Sequence, residues 1–279
     1  MKKTSRRRSA AIIGTTAAAA MLLAACGSSS TTKSTSSSST SSTATKVKGG
    51  TAYFAEAPGA SPNYIFPLTP STDFSVDNLA QFQILMYRPL YFFGVGNKAE
   101  INPSLSVANP PVYSNNNKTV TITLKKYKWS DGETLTSRDV IFWMNLLKAN
   151  KTAWAAYVPG DFPDNVVSYS APNASTVVFQ LNKSYSPTWF TYNELSQITP
   201  LPMAWDRTSL SQPAPSPTAP NLPDTTTTGA QAVYKFLNGQ ASDLSTYATS
   251  PIWSVVDGPW KLSSFTTAGK AVFVPNPSY

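Results

Sequence analysis

Lys128-Trp129-Ser130-Asp131-Gly132-Glu133-Thr134-Leu135-Thr136-Ser137-Arg138-Asp139-Val140 is the stretch on which the reading of this 279-residue chain turns. Asp131-Gly132 supplies turn chemistry, since the Asp side chain bonds its own backbone and Gly tolerates positive φ. Thr136 and Asp139, three apart, have the form of a capping box in which each residue satisfies an orphan N–H of the other. From there Val140, Trp143, Met144 and Leu147 recur at i, i+3, i+4 and i+7, which predicts a helix to about Lys148 with one face on a core. At that spacing the Trp143–Met144 stripe reads as core rather than as a cofactor box.

Working outward, Val120, Ile122 and Leu124 alternate with Thr119, Thr121 and Thr123, the pattern of a half-buried strand. Thr176–Leu181 and Ala271–Val274 read as further strands, and Thr51–Glu56 as a first strand running into a Pro/Gly/Asn loop from Pro58 to Pro70. Helices are expected at about Asp77–Tyr87 and about Ala230–Leu237, the latter ending at the Asn238-Gly239 turn. Seven prolines between Pro200 and Pro223 predict an irregular loop or surface insertion. No internal repeat is apparent. Strands and helices alternate, so the class is α/β with mixed α+β sheets.

Composition removes whole classes of chemistry. Histidine is absent and cysteine occurs once, which excludes imidazole metal sites, Ser/His and Cys/His nucleophile pairs and any intrachain disulfide. The net charge of +8 lies at one end: Lys2, Lys3, Arg6, Arg7 and Arg8 precede residue 26, and Lys33, Lys46 and Lys48 follow it, with no acid among the first 50 residues. Residues 51–279 carry fourteen bases and fourteen acids, so the folded part is neutral and no nucleic acid is expected as a partner.

The basic start and the apolar stretch Ala10–Ala25 read as an export signal, too short and too weakly apolar for a span of ~20 apolar residues. Leu23-Ala24-Ala25-Cys26-Gly27 resembles the bacterial lipoprotein processing box, so residues 1–26 are expected to be a signal peptide and Cys26 the lipidated residue. Residues 27–45 contain 16 Ser or Thr in 19 positions. With nothing to bury they cannot offset the entropy of ordering, and residues 27–48 read as a disordered tether spanning roughly 25 Å. Ser30 and Lys33 form an S-x-x-K string by chance within it.

Several segments, in order, resemble the solute-binding proteins of bacterial ABC importers in the oligopeptide and dipeptide class, extracellular solute-binding family 5. Ile101-Asn102-Pro103-Ser104-Leu105 is similar to that family's P-x-L-A segment, and Lys128–Val140 to its KW-x-DG-x-PLTA-x-DV signature. Asp257-Gly258-Pro259-Trp260-Lys261-Leu262 is similar to GTGPYKL, with Trp260 in place of the usual tyrosine. Val274–Tyr279 is similar to NP-x-YW, with the chain stopping before the final tryptophan. The resemblance implies a periplasmic-binding-protein type II-like clamshell closing on solute by hinge motion and delivering it to a membrane permease. It further implies that this chain holds the first lobe (49–85 and 206–279) and an inserted subdomain (86–205), the second lobe missing. The expected partners are a peptide or other small solute, ABC permease subunits and a lipid anchor on the outer face of the cytoplasmic membrane. A monomer is expected, with no cofactor, metal or catalytic residue.

In the family the end of the first strand and the loop after it line the cleft, here Glu56, Ala57, Pro58 and Tyr64; Tyr87 joins them as a candidate ligand-binding residue. Glu56 reads more readily as a solvated strand-end charge, since lone carboxylates are mostly exposed, and Tyr64 and Tyr87 read equally as ordinary packing. Asp131 and Glu133 form a solvated turn rather than an acid/base pair, and Asp161 and Asp164 are too few oxygens for calcium. The alternatives are a cell-envelope hydrolase, which without histidine would need Lys, Asp or Glu as its base, and a truncated lipoprotein without ligand.

Overall fold

Residues 49–216, 218, 219 and 221–279 are described by the computed structural model. The elements below belong to one unit, Phe54–Tyr279. The signal, Cys26 and the tether lie outside the described residues.

The chain enters through α1 (Val76–Asn78), a π-helical turn (Leu79–Gln83) and α2 (Ile84–Met86), which are contiguous. A hairpin follows, β1 (Phe93–Val95) with β2 (Lys98–Ile101). Next come β3 (Val112–Ser114), β4 (Thr119–Thr123), α3 (Ser137–Asn150), β5 (Val166–Asn173), β6 (Thr176–Leu181) and α4 (Pro187–Asn193). α5 (Thr227–Ala241) and a second hairpin, β7 (Trp260–Phe265) with β8 (Ala271–Pro275), complete it. The result is a mixed α/β fold.

β3-β4-β6-β5 form one antiparallel sheet, with Val120 opposite Phe179 and Ile122 opposite Val177. These four side chains are fully buried, so the alternation read in the sequence faces the core. α3 covers the sheet and packs on α5. Its N-terminus carries the expected box: the Arg138 N–H donates to Thr136 Oγ1 at 3.3 Å and the Thr136 N–H to Asp139 Oδ2 at 2.6 Å. Phe142 and Leu146 are buried as well as the predicted stripe, because the helix is enclosed by sheet, α5 and loops rather than lying at the surface.

Three expectations are corrected. Thr51–Glu56 forms no strand; alternating residues make a ladder only where a partner strand supplies hydrogen bonds, and here Tyr53 and Phe54 are exposed. Asn238-Gly239 does not end α5, which runs on to Ala241 because its inner face, including Leu237 and Ala241, stays buried. The proline-rich segment is irregular as expected, but its first part is core rather than surface: Leu201, Met203 and Trp205 are fully buried, and Trp205 Nε1 donates to the Ile252 carbonyl at 2.7 Å.

Candidate functional site

The loop before α1 belongs to no sheet, so its polar backbone needs other partners. Two buried amides supply them. Asn78 Oδ1 accepts the N–H groups of Asn63 and Tyr64 at 2.8 and 3.0 Å, and its Nδ2 donates to the Asp73 carbonyl at 2.7 Å. Gln83 Nε2 donates to the carbonyls of Tyr64 and Phe66 at 3.1 and 3.3 Å and to Thr69 Oγ1 at 3.3 Å. On its far side the loop meets the segment after α3, where the Ala155 N–H donates to the Thr69 carbonyl at 3.0 Å and Pro70 bridges Trp154. π-helical turns concentrate at functional positions, and here the turn brings Leu79 and Gln83 to the same concavity.

That concavity is a groove of about 370 Å³. Pro67, Thr69 and Phe74 form one wall, Leu79, Gln83, Ile84, Tyr87 and Pro89 the floor, and Trp154, Ala156, Ser196, Gln197 and Thr199 the other wall. The last of these is tied to the floor by the Leu90 N–H, which donates to the Ile198 carbonyl at 2.8 Å. Trp154 is itself held edge-on by Trp143 of α3, with ring centres 6.0 Å apart, so the legible helix positions a wall of the groove. A mostly apolar lining with a few polar groups is the usual make-up of a small-molecule site.

A wider recess, about 650 Å³, lies among Ser104, Lys126, Tyr127, Lys128, Thr134, Ser278 and Tyr279. There the first, second and last sequence motifs meet, but Ser104, Lys126, Lys128 and Tyr279 are exposed, so its rim is open surface. The groove, whose Gln83, Tyr87, Thr69 and Trp154 are buried, is the better formed site.

Of the residues predicted from sequence, Tyr87 lines the groove, stacked edge-on against Trp205 with ring centres 5.6 Å apart. Burial, reinforced by nearby Asp257, raises its hydroxyl well above the usual tyrosine range. Tyr64 is buried, donates from its hydroxyl to Asn238 Oδ1 at 2.8 Å, and reaches the groove only through its carbonyl on Gln83. Glu56 is half-buried and Ala57 and Pro58 are exposed, the latter in a turn closed by Ala60 N–H to the Ala57 carbonyl at 2.9 Å; none of the three lines the groove. Phe74, Gln83 and Trp154 were not singled out in the sequence, where each is one aromatic or amide without a pattern. Asp131 Oδ1 accepts the Glu133 N–H at 3.0 Å in the expected turn, and Asp164 is occupied by Lys151, Tyr157 and Gly160.

The motifs themselves converge on a junction. Ser130 N–H donates to the Val256 carbonyl at 2.8 Å and Ser130 Oγ to the Ser254 carbonyl at 2.8 Å, while Asn276 Nδ2 donates to the Gly258 carbonyl at 2.8 Å. Asp257 Oδ1 accepts the Arg88 N–H at 3.0 Å, and the Gly258 N–H donates to the Met86 carbonyl at 2.7 Å. Asp257 is fully buried, and desolvation pushes its carboxyl up to about 8.

No curated protein matches the sequence as a relative. Among solved structures the chain is similar to OppA of Haemophilus influenzae in complex with the peptide RPPGFSPFR, at 18% identity and a TM-score of 0.53, covering 79% of this chain and 37% of that one. It is likewise similar to the oligopeptide-binding protein AppA of Bacillus subtilis in complex with a nonapeptide, at 18% identity and a TM-score of 0.52, covering 78% and 35%. The chain thus spans about a third of the length of the structures it matches and shares their type II periplasmic-binding fold. Residues 102–279 match the profile of the bacterial extracellular solute-binding proteins, family 5 Middle. Ordered motifs, fold and profile agree: the chain belongs to the family 5 extracellular solute-binding proteins, non-enzymatic components of transporters.

Proposed function

We propose that this chain is part of the lipid-anchored, extracytoplasmic solute receptor of an ABC importer, with peptides as its solute class. The single observation that carries the reading is the family match over residues 102–279, supported by a fold shared with two proteins crystallised with peptides. In this reading Cys26 bears the lipid, residues 27–48 are the tether, 49–85 with 206–279 belong to a first lobe, and 86–205 form its inserted subdomain. The groove beside Tyr87 is the part of the solute site that this lobe contributes, with a second lobe closing over it. Closure follows only if solute binds the closed state better than the open one. More than one acyl chain at Cys26 would make the attachment stable.

Ligand-dependent thermal shift with a peptide library, on a gene product extended to both lobes, tests the reading: bound peptide raises the melting temperature. A library that shifts nothing overturns the peptide assignment. Cys26→Ser is expected to release the protein from the membrane fraction, and retention of that variant overturns the anchor.

A further inference from the structure

The groove has a charge pattern that deepens the proposed function and rests on it. Among the described residues none that lines it is charged: its walls are apolar or aromatic, as at Phe74, Ile84 and Trp154, and its polarity is limited to amides and hydroxyls such as Gln83, Ser196 and Thr199. Three of the charged residues nearby in sequence have partners: Arg88, which also donates to the Ile84 carbonyl at 3.4 Å, Asp73 and Lys151. The Arg88 guanidinium lies 5.7 Å from the Phe92 ring centre and 5.5 Å from that of Tyr279. Asp73 accepts the Thr72 hydroxyl at 2.7 Å, and Lys151 pairs with Asp164. Glu194, two residues before Ser196, is buried, and desolvation raises its carboxyl to about 7.

A charged group brought between such walls would lose water and find no counter-charge, which is costly, whereas an apolar group gains from burial. At about 370 Å³ the groove is near the lower end of the ~300–1,000 Å³ range of small-molecule sites, which fits one side chain with its adjoining backbone rather than a whole oligopeptide. The Gln83 amide nitrogen is already committed to three acceptors, so the one polar atom it has left to offer a solute is its oxygen, an acceptor for an N–H. We propose that the groove takes an uncharged aliphatic or aromatic side chain of an extended peptide, accepts its backbone N–H at Gln83, and discriminates against lysine and glutamate side chains at that position.

The test uses the full 279-residue chain, isotope-labelled, titrated with the tetrapeptides Ala-Ala-X-Ala in which X is Phe, Leu, Lys or Glu. The Trp154 indole cross-peak, assigned with Trp154→Phe, is the local readout. Phe and Leu peptides are expected to move it, with apparent affinities at least about ten-fold tighter than those of the Lys and Glu peptides. Thr199→Asp is expected to weaken the Phe peptide and strengthen the Lys peptide, while Thr199→Asn leaves the Lys peptide unimproved. Equal affinities for all four overturn the selectivity and leave the peptide reading standing. Binding that leaves the Trp154 signal unmoved overturns the groove assignment. Failure of all four to bind overturns this proposal, while the peptide reading stands or falls with the library on the two-lobe product.

Discussion

The motif junction and the groove lie on two sides of the same short segment, residues 86–89, and are built by opposite rules. The Met86 carbonyl and the Arg88 N–H bond to Gly258 and Asp257 in the junction, while Tyr87 and Pro89 line the groove. Tyr87 is extended, with φ −124° and ψ 141°, and extended backbone sends alternate side chains to opposite sides. The junction contains the most recognisable residues of the sequence, and they are occupied in holding backbone to backbone. The groove contains residues with no motif at all. The difference teaches that in this chain the family signature marks scaffold: its residues are spent on joining backbone to backbone, and the groove is built from residues outside it.

If the junction is scaffold, the largest effect of any single change belongs there. A Cβ on Gly258 would stand 2.6 Å from the carbonyl carbon and oxygen of Met86, backbone that cannot rotate away. Gly258→Ala is therefore expected to cost more than about 3 kcal/mol in urea denaturation or to abolish folding; a near-neutral result would break the distinction. Trp143→Ala removes a fully buried ring that packs on Trp154 and Phe162, with an expected loss of about 3–5 kcal/mol. It also withdraws the support of one groove wall.

A pH series sharpens the comparison further. The Asp257 carboxyl, held up to about 8 by burial, binds its proton more tightly in the folded than in the unfolded chain. Its contribution to stability is thus complete below about pH 4, declines as pH rises, and is gone above about pH 8. Asp257→Asn is expected to flatten that part of the dependence, so denaturation midpoints of variant and parent diverge with rising pH. Parallel curves between acid and alkaline buffers would mean that the junction tolerates an ionised Asp257. Thr136→Ala, which removes one half of the capping box, is expected to cost about 1 kcal/mol. The smallest effect on stability is expected in the groove: Phe74 is 60% exposed, and Phe74→Ala should change stability by less than about 0.5 kcal/mol while weakening the Phe tetrapeptide. A Phe74→Ala chain that loses several kcal/mol of stability, about as much as a core truncation, yet binds the Phe tetrapeptide as tightly as the parent would reverse the roles assigned to the two regions.

Legibility divides along the same line. The capping box, the helix from Ser137 and the β4–β6 pair follow from local rules, since a cap bonds within three residues and an amphipathic strand shows its period whatever it packs against. The loop from Asn63 to Phe74 follows from none, because its backbone is satisfied by Asn78 and Gln83, side chains on a neighbouring helix. For the same reason Tyr87 was within reach of sequence reading as a tyrosine at a helix end, whereas Trp154 and Phe74 were not. Only their meeting across Thr69 and Ala155 makes them walls.

By itself the sequence determined the α/β class, the core helix, the neutral folded part and the family, because period, charge and ordered motifs are properties of the chain read in line. The tertiary structure alone decided that the motifs join one another, that Leu201–Trp205 is core, and that an uncharged groove opens beside Tyr87. Those outcomes depend on contacts between residues up to well over a hundred positions apart, as between Met86 and Gly258. No local preference encodes which distant backbone will supply a missing hydrogen bond, so only the folded chain reveals it.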